Sequence, residues 1–297
     1  MVDKKEIKVL LQKIGQELPK WLLFLIPLFY FIVGSYFRNL IGNLSLRNCD
    51  PEYIYFMSGL NLSEGILKLG HIDNPGTPLQ ILIAIVFKIT YFFRSVDTPY
   101  LDDVLLYSDL YLSIINLTIT FITSVFLLYA GRTVFRITKN FLYAFLVQTT
   151  PFVPVIWYDL IGRINPELIM PFPIIILTIL IIKSLYNTEK NTSFIEVTSF
   201  AAVIAFGLSI KLSFLPLMFI PLIIILGWKK KLVFIGFTAL FFFIIAFPVI
   251  LQIDIFWNWI KALFMHSGTY GSGDANIIDL TALQINLKKI YFLEKRY

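Results

Sequence analysis

The 297-residue sequence is poor in the features that mark a water-soluble protein. It has one cysteine, Cys49, so an intrachain disulfide and a cysteine metal cluster are both excluded and the redox compartment is left unmarked. Charged residues make up 15% of the chain, against roughly 25% in soluble domains. Apolar residues reach 58%, above the usual ~45–50%, and the mean hydropathy is +0.78. With 29 Phe and 15 Tyr as well, too little polar surface remains to cover a globule in water. Soluble enzyme folds, nucleic-acid modules and disordered scaffolds are thereby excluded. No internal repeat, linker of Pro or Gly/Ser, or phosphate-loop spacing is visible. The net charge of +6 does not indicate a nucleic-acid partner, because the basic residues stand at the ends of apolar runs rather than on one face.

What is present is a series of membrane-length apolar runs. Lys4, Lys5, Lys8, Lys13 and Lys20 precede the first, residues 21–37, and place the N-terminus in the cytoplasm. The long polar lead favours an uncleaved anchor over a signal peptide cut near Val33-Gly34-Ser35. Further spans are expected at 110–130, 141–158, 168–182, 197–210, 214–227 and 232–251, most of them near the ~17–25 residues that cross a bilayer. The clusters Arg132, Arg136 and Lys139, then Lys183 and Lys190, then Lys229 to Lys231, mark cytoplasmic connections. Residues 197–227 are therefore a hairpin that turns outside at Lys211, Ser213 and Pro216.

The same parity leaves no crossing for residues 76–93. That run holds Lys88, starts at Pro75-Gly76-Thr77-Pro78 and precedes Asp97, Asp102, Asp103 and Asp109. It is expected to dip into the membrane from an outer loop spanning 38–109. The fold class is thus an all-α polytopic membrane protein of about seven transmembrane helices with outer-face amphipathic helices. Residues 1–297 form one membrane domain, and 252–297 form an outer loop that resembles an incomplete C-terminal module.

Parity also brings distant acids and bases to one face. Asp50-Pro51-Glu52 reads as a helix start, with Asp50 as N-cap, Pro51 at the first helical position and Glu52 in the first turn. Tyr53, Phe56, Met57 and Leu60 continue it as an amphipathic helix. Asn165-Pro166-Glu167 repeats the pattern after Asp159 and Arg163. On spacing alone the acids read first as helix-start residues and only second as catalytic carboxylates. Residues 70–80 are rich in turn formers, and His71 by itself makes no metal site. The stretch from His266 to Asp274 is a flexible loop, solvated or cradling a phosphate.

These residues together resemble the GT-C membrane glycosyltransferases, particularly the protein O-mannosyltransferase and aminoarabinose transferase relatives. Asp50-Pro51-Glu52-Tyr53 is similar to the family's first-loop acidic motif, and Asn74-Pro75-Gly76-Thr77-Pro78-Leu79 to its proline-rich helix start. Asn165-Pro166-Glu167 is similar to its second acidic loop, and Gly207 to Ser213 to its Gly-Leu...Lys segment. Pro51 separates acids that many relatives place side by side, and Asn74 stands where His or Lys is common. The resemblance implies a glycosyltransferase in the bacterial inner membrane, moving a sugar from a polyprenyl-phosphate donor to a lipid, glycan or protein acceptor at the outer face. It implies Asp50 as base, Glu52 and Glu167 as further catalytic carboxylates, and Lys211 and Arg163 as donor phosphate contacts. Lys211 also reads as a snorkelling interfacial lysine. Tyr53, Asn74, Asp159 and His266 complete the set as substrate contacts. No metal ligand set is assigned, and the cofactor is left open. A polytopic transporter or lipid flippase is the rival reading, although transport sites favour ionisable groups near the midplane.

Overall fold

Proline and short polar side chains decide where the apolar runs become helices. The computed structural model describes residues 19–42, 50–154, 157–186, 192–265 and 280–294. It contains no strand among them. Helix α1 opens as a 3-10 turn at Lys20–Phe24 and continues as Leu25–Ile41. It is followed by α2 (Glu52–Ser63), α3 (Thr77–Arg94), α4 (Tyr100–Leu106), α5 (Ser108–Thr138), α6 (Phe141–Thr149) and the short α7 (Trp157–Leu160). Next come α8 (Pro166–Tyr186), α9 (Phe194–Ile210), α10 (Leu212–Ile224) and α11 (Trp228–Ile245), then the turn α12 (Phe247–Ile250). Residues 252–297 are a separate compact unit. It holds α13 (Ile253–Met265) and α14 (Leu280–Glu294), so helices occupy much of what the sequence reading left as loop.

Among the described residues four helices are long and apolar enough to cross a membrane: Lys20–Ile41, Thr77–Arg94, Ser108–Thr138 and Pro166–Tyr186. Phe194–Ile210 and Leu212–Ile224 are shorter apolar helices. The expected span 141–158 is not one helix. Pro151 and Pro154 remove backbone donors just where the ladder would continue, so α6 stops at Thr149 and passes into a 3-10 turn, Thr150–Phe152. The expected span 214–227 likewise begins as 3-10 helix with Pro216 inside it, and 232–251 ends its regular helix at Ile245.

Capping fixes several starts. Asn140 accepts the Leu142 N–H at 2.8 Å to open α6, and Ser193 accepts the Glu196 N–H at 3.1 Å to open α9. Ser193 with Glu196 has the spacing of a capping box. Between helices, close backbone approach and buried polar groups replace the hydrophobic effect, which does little inside lipid. Gly59 of α2 lies so close to α3 that a Cβ there would stand 2.3 Å from the Ile83 side chain. Gln148 of α6 donates to the carbonyls of Leu23 in α1 (2.8 Å) and Leu127 in α5 (3.1 Å).

The bundle has two unlike ends. Ile182 of α8 packs with Leu23, Val134 and Phe141, which brings the start of α1, the end of α5 and the start of α6 together. Lys20, Arg132, Arg136 and Lys139 gather here. Lys230 donates to the Thr192 carbonyl at 2.7 Å, so α9 and α11 start side by side. The α12 turn, at the far end of α11, touches α3. The start of α3 is in turn bonded to the end of α9, through Gly76 N–H to Ile210 O at 3.2 Å. Helices α9 and α11 are therefore parallel, with α10 as the return between them, which is the hairpin read from the lysines.

Helix α3 qualifies as a span by length and composition, yet neither of its ends approaches the basic end. Its start is beside Ile210, about 25 Å along α9 from Phe194 at 1.5 Å per residue. Its last residue, Arg94, makes a two-pronged ion pair with Asp103 (2.8 and 2.9 Å), which also accepts the Tyr111 hydroxyl at 2.6 Å. Burial pulls the Asp103 carboxyl upward, but these bonds outweigh it and hold its pKa below the usual value. Tyr111 stands roughly 37 Å along α5 from Arg136. Cysteines placed at positions 102 and 229 in a Cys49-free background should consequently label from opposite sides of the membrane. An impermeant thiol reagent applied to intact cells is expected to reach one and to reach the other only after permeabilisation. Labelling of both from one side would refute a bundle that spans.

Candidate functional site

The end opposite the basic residues is organised by a turn, a cap and a buried ion pair. Asn165 accepts the Leu168 N–H at 2.9 Å and Pro166 opens the helix, as the sequence pattern predicts. That leaves Glu167 in the first turn of α8, where it pairs with Lys211 at the end of α9. The backbone of Lys211 is extended, so the helix ends there, and Phe214 folds back onto Gly207. Gly76 has a φ of 67° and faces Tyr55: a Cβ would stand 2.6 Å from the Tyr55 ring. Gly76 therefore both turns the chain and lets the tyrosine approach, while its N–H holds Ile210 beside Lys211.

Around Tyr55 the charged groups converge. The His71 ring meets it edge-on at 5.3 Å. Burial raises the Tyr55 pKa well above its ordinary value, and the carboxylates of Glu167, Asp73 and Asp50 push it further up. Burial lowers the pKa of His71, against the opposing pull of Asp73 and Asp50. Asp50, Tyr55, His71, Asp73, Glu167 and Lys211 are thus electrostatic neighbours drawn from three chain segments and the end of a fourth. Gln80 in the first turn of α3 donates to the His71 carbonyl at 2.9 Å and keeps the 70s loop in place.

Glu52 stands apart from this group. Helix α2 starts at Glu52 with Pro51, not Asp50, at the N-cap, since the Pro51 carbonyl accepts the first helical bonds from Ile54 and Tyr55. At this first helical position Glu52 is 1% exposed and accepts from Arg38 at 2.6 Å and from the Ile164 N–H at 2.8 Å. Arg38 also donates to the Gly162 carbonyl. The pair ties α1 and α2 to the segment that precedes Glu167. Arg163 sits between Gly162 and Ile164 on that segment. Tyr53 is 54% exposed. Two residues turn a helix by about 200°, so Tyr53 faces away and Tyr55, unmarked in the sequence reading, faces in. Asn74 takes a left-handed φ of 50°, a conformation that asparagine tolerates in turns. His266 and the side chain of Asp159 lie outside the described residues.

Glu167 also borders a cavity of about 220 Å³. Its walls are apolar and come from the 3-10 turn after α6, from α7 and from α8, among them Pro151, Leu160, Met170 and Ile174. Tyr30 and Trp157 line it as well; their hydroxyl and indole N–H are close neighbours, but neither completes a hydrogen bond of normal geometry among the described residues. The carboxylate partner of Lys211 thus borders an apolar slot. Among the described residues no three His, Cys, Asp or Glu side chains are grouped to hold a metal ion. Comparison with family models, characterised proteins and solved structures finds no match.

Two outcomes follow from this geometry. Removing one partner of the buried pair, as in Arg38→Met, should destabilise the purified protein by about 3–5 kcal/mol in thermal or denaturant unfolding. The double variant Arg38→Met/Glu52→Leu should recover much of that loss, because no lone charge is left buried. A double variant as unstable as the single would argue against an ion pair. For His71 the unfolded state binds a proton first as pH falls, so stability is fully retained above ~6.5 and declines below it. Thermal midpoints measured from about pH 7.5 to about pH 5.5 should fall in the wild type, and the part due to this residue should vanish in His71→Gln.

Proposed function

We propose that the chain is a GT-C-like membrane glycosyltransferase that transfers a sugar from a polyprenyl-phosphate donor at the outer face of the bacterial inner membrane. The observation that carries this reading is the Lys211–Glu167 pair, whose carboxylate borders an apolar cavity, beside Asp50, Asp73, His71 and Tyr55. A lipid-linked phosphate matches that arrangement: its chain suits the apolar walls and its phosphate the ammonium of Lys211. In the transfer, the acceptor oxygen forms a bond to the anomeric carbon while the bond from that carbon to the phosphate oxygen breaks. The electron pair leaves with the polyprenyl phosphate, and the acceptor proton passes to the Asp50 carboxylate. Lys211 stabilises the charge that builds on the departing phosphate, with Glu167 holding the lysine in place. The ion pair and burial of Glu52 favour positioning over proton transfer for that carboxylate.

The topology fits the same reading. The gathering of Lys20, Arg132, Arg136 and Lys139 at one end supports a cytoplasmic N-terminus by the distribution of basic residues. About seven crossings follow if α6 with its 3-10 turn, α9, α10 and α11 traverse beside α1, α5 and α8, and α3 stays at the outer face. Position 102 would then be the one labelled from outside.

Purified full-length protein incubated with a labelled polyprenyl-phosphate sugar and candidate acceptors tests the activity. Lys211→Met should cut transfer by about two orders of magnitude, the scale of a lost charge-stabilising donor, and Lys211→Arg should retain part of it. Asp50→Asn should lower the rate by about two to four orders of magnitude with folding intact. Donor turnover unchanged by Lys211→Met would leave that residue as an interfacial anchor. Flux of lipid or solute without sugar transfer would favour the transporter.

A further inference from the structure

A second cavity opens at the basic end, between the start of α1 and the end of α5, and measures about 370 Å³. That is within the ~300–1,000 Å³ of small-ligand sites. Lys20, Arg132, Arg136 and Lys139 line it together with the aromatic side chains Trp21 and Phe24. Arg132 and Arg136 stand one turn apart on α5, and Lys139 follows as its C-cap with a left-handed φ of 53°. The antiparallel packing of α1 on α5 adds Lys20 from across the groove. Among the described residues none of the four cations pairs with a carboxylate, whereas Arg38, Lys88, Arg94 and Lys211 each do. The Arg132 guanidinium lies over the Phe24 ring, 4.6 Å from its centroid, a contact that uses the ring face and none of the arginine N–H donors as hydrogen bonds.

The helix ends do not cancel this charge. The C-terminus of α5 contributes about half a negative charge and the N-terminus of α1 about half a positive one, so the two offset each other. Four cations with no carboxylate partner among the described residues thus surround a cavity bordered by aromatic rings.

We infer that this cavity binds the phosphate of an anionic lipid headgroup. The phosphate oxygens accept from Arg132 and Arg136, Lys20 and Lys139 close the rim, and the amphipathic Trp21 ring borders the glycerol region with the apolar Phe24 beside it. A lipid is the source because α1 exposes Leu25, Leu28 and Phe29 just beyond the cavity, an apolar surface for the acyl chains. The inference is independent of the transferase reading, since it uses no residue of the Lys211 site.

Titration of the purified full-length chain with short-chain phosphatidylglycerol and, separately, phosphatidylcholine, followed by native mass spectrometry, tests it. Phosphatidylglycerol should be retained in preference. Arg132→Gln/Arg136→Gln should weaken its binding about 25-fold, at roughly five-fold per charge removed near a headgroup. Lys229→Gln/Lys231→Gln removes the same charge from the same end outside the cavity and should leave the affinity unchanged. Arg132→Lys/Arg136→Lys should retain most of it, so the inference stays testable if the glutamine variant misfolds. Glycerol phosphate in a competition arm separates the sources: little displacement assigns the site to lipid, and displacement at matching concentration assigns the same phosphate chemistry to a soluble ester. Equal retention of both lipids, wild-type affinity in the arginine-to-glutamine variant, or an equal loss in the Lys229/Lys231 control would overturn the inference.

Discussion

The buried contact between Arg38 and Glu52 is the constraint on which the site end depends. Both side chains are almost fully inaccessible, and Glu52 accepts at once from the guanidinium of α1 and from the Ile164 N–H. An unpaired charge in that position would cost several kcal/mol, so the three segments must arrive together. Because Ile164 precedes the Asn165 cap and the first turn of α8, the same contact sets where Glu167 stands. The Gly162 carbonyl, also bonded to Arg38, closes the arrangement against the end of α1. A carboxylate that looks chemically active in a string of residues thus acts on the site through the backbone it positions.

The remainder of the bundle follows the logic of a low-dielectric solvent. Ser and Thr along α5 return their hydroxyl protons to carbonyls one turn back, as Thr120, Thr123 and Ser124 do, so polar residues are carried without a partner helix. Asn116 and Gln148, which have protons to spare, donate instead to carbonyls of neighbouring segments. Charge is sorted to the two ends. Cations collect beside the start of α1 and the end of α5, and the carboxylates Asp50, Asp73 and Glu167 neighbour Tyr55 at the other end.

That sorting separates two kinds of chemistry. At one end a cation, Lys211, is already paired with Glu167 and shares its surroundings with other ionisable groups, an environment in which a partner can exchange. At the other end Lys20, Arg132, Arg136 and Lys139 pair with no carboxylate among the described residues and face aromatic rings, an environment suited to holding an anion rather than transforming it. The distinction rests on counter-charge, not on the number of basic residues.

Composition and the placement of lysine and arginine determined, without any coordinates, that the chain is helical and membrane-like and that Lys211 ends one arm of a hairpin. Those properties are legible because they come from local sums: enough apolar residues in a row, and charges at their ends. The Asn165-Pro166-Glu167 helix start was equally local, since a cap acts within three residues. Tertiary structure decided what depended on neighbours distant in sequence. It put Glu52 in an ion pair, turned Tyr55 rather than Tyr53 inward, broke the run 141–158 at its prolines and gave α3 both ends away from the basic face. It also formed the two cavities, whose walls come from separate helices. A helix start can be read from adjacent residues, but burial and counter-charge are properties of residues brought together across the chain.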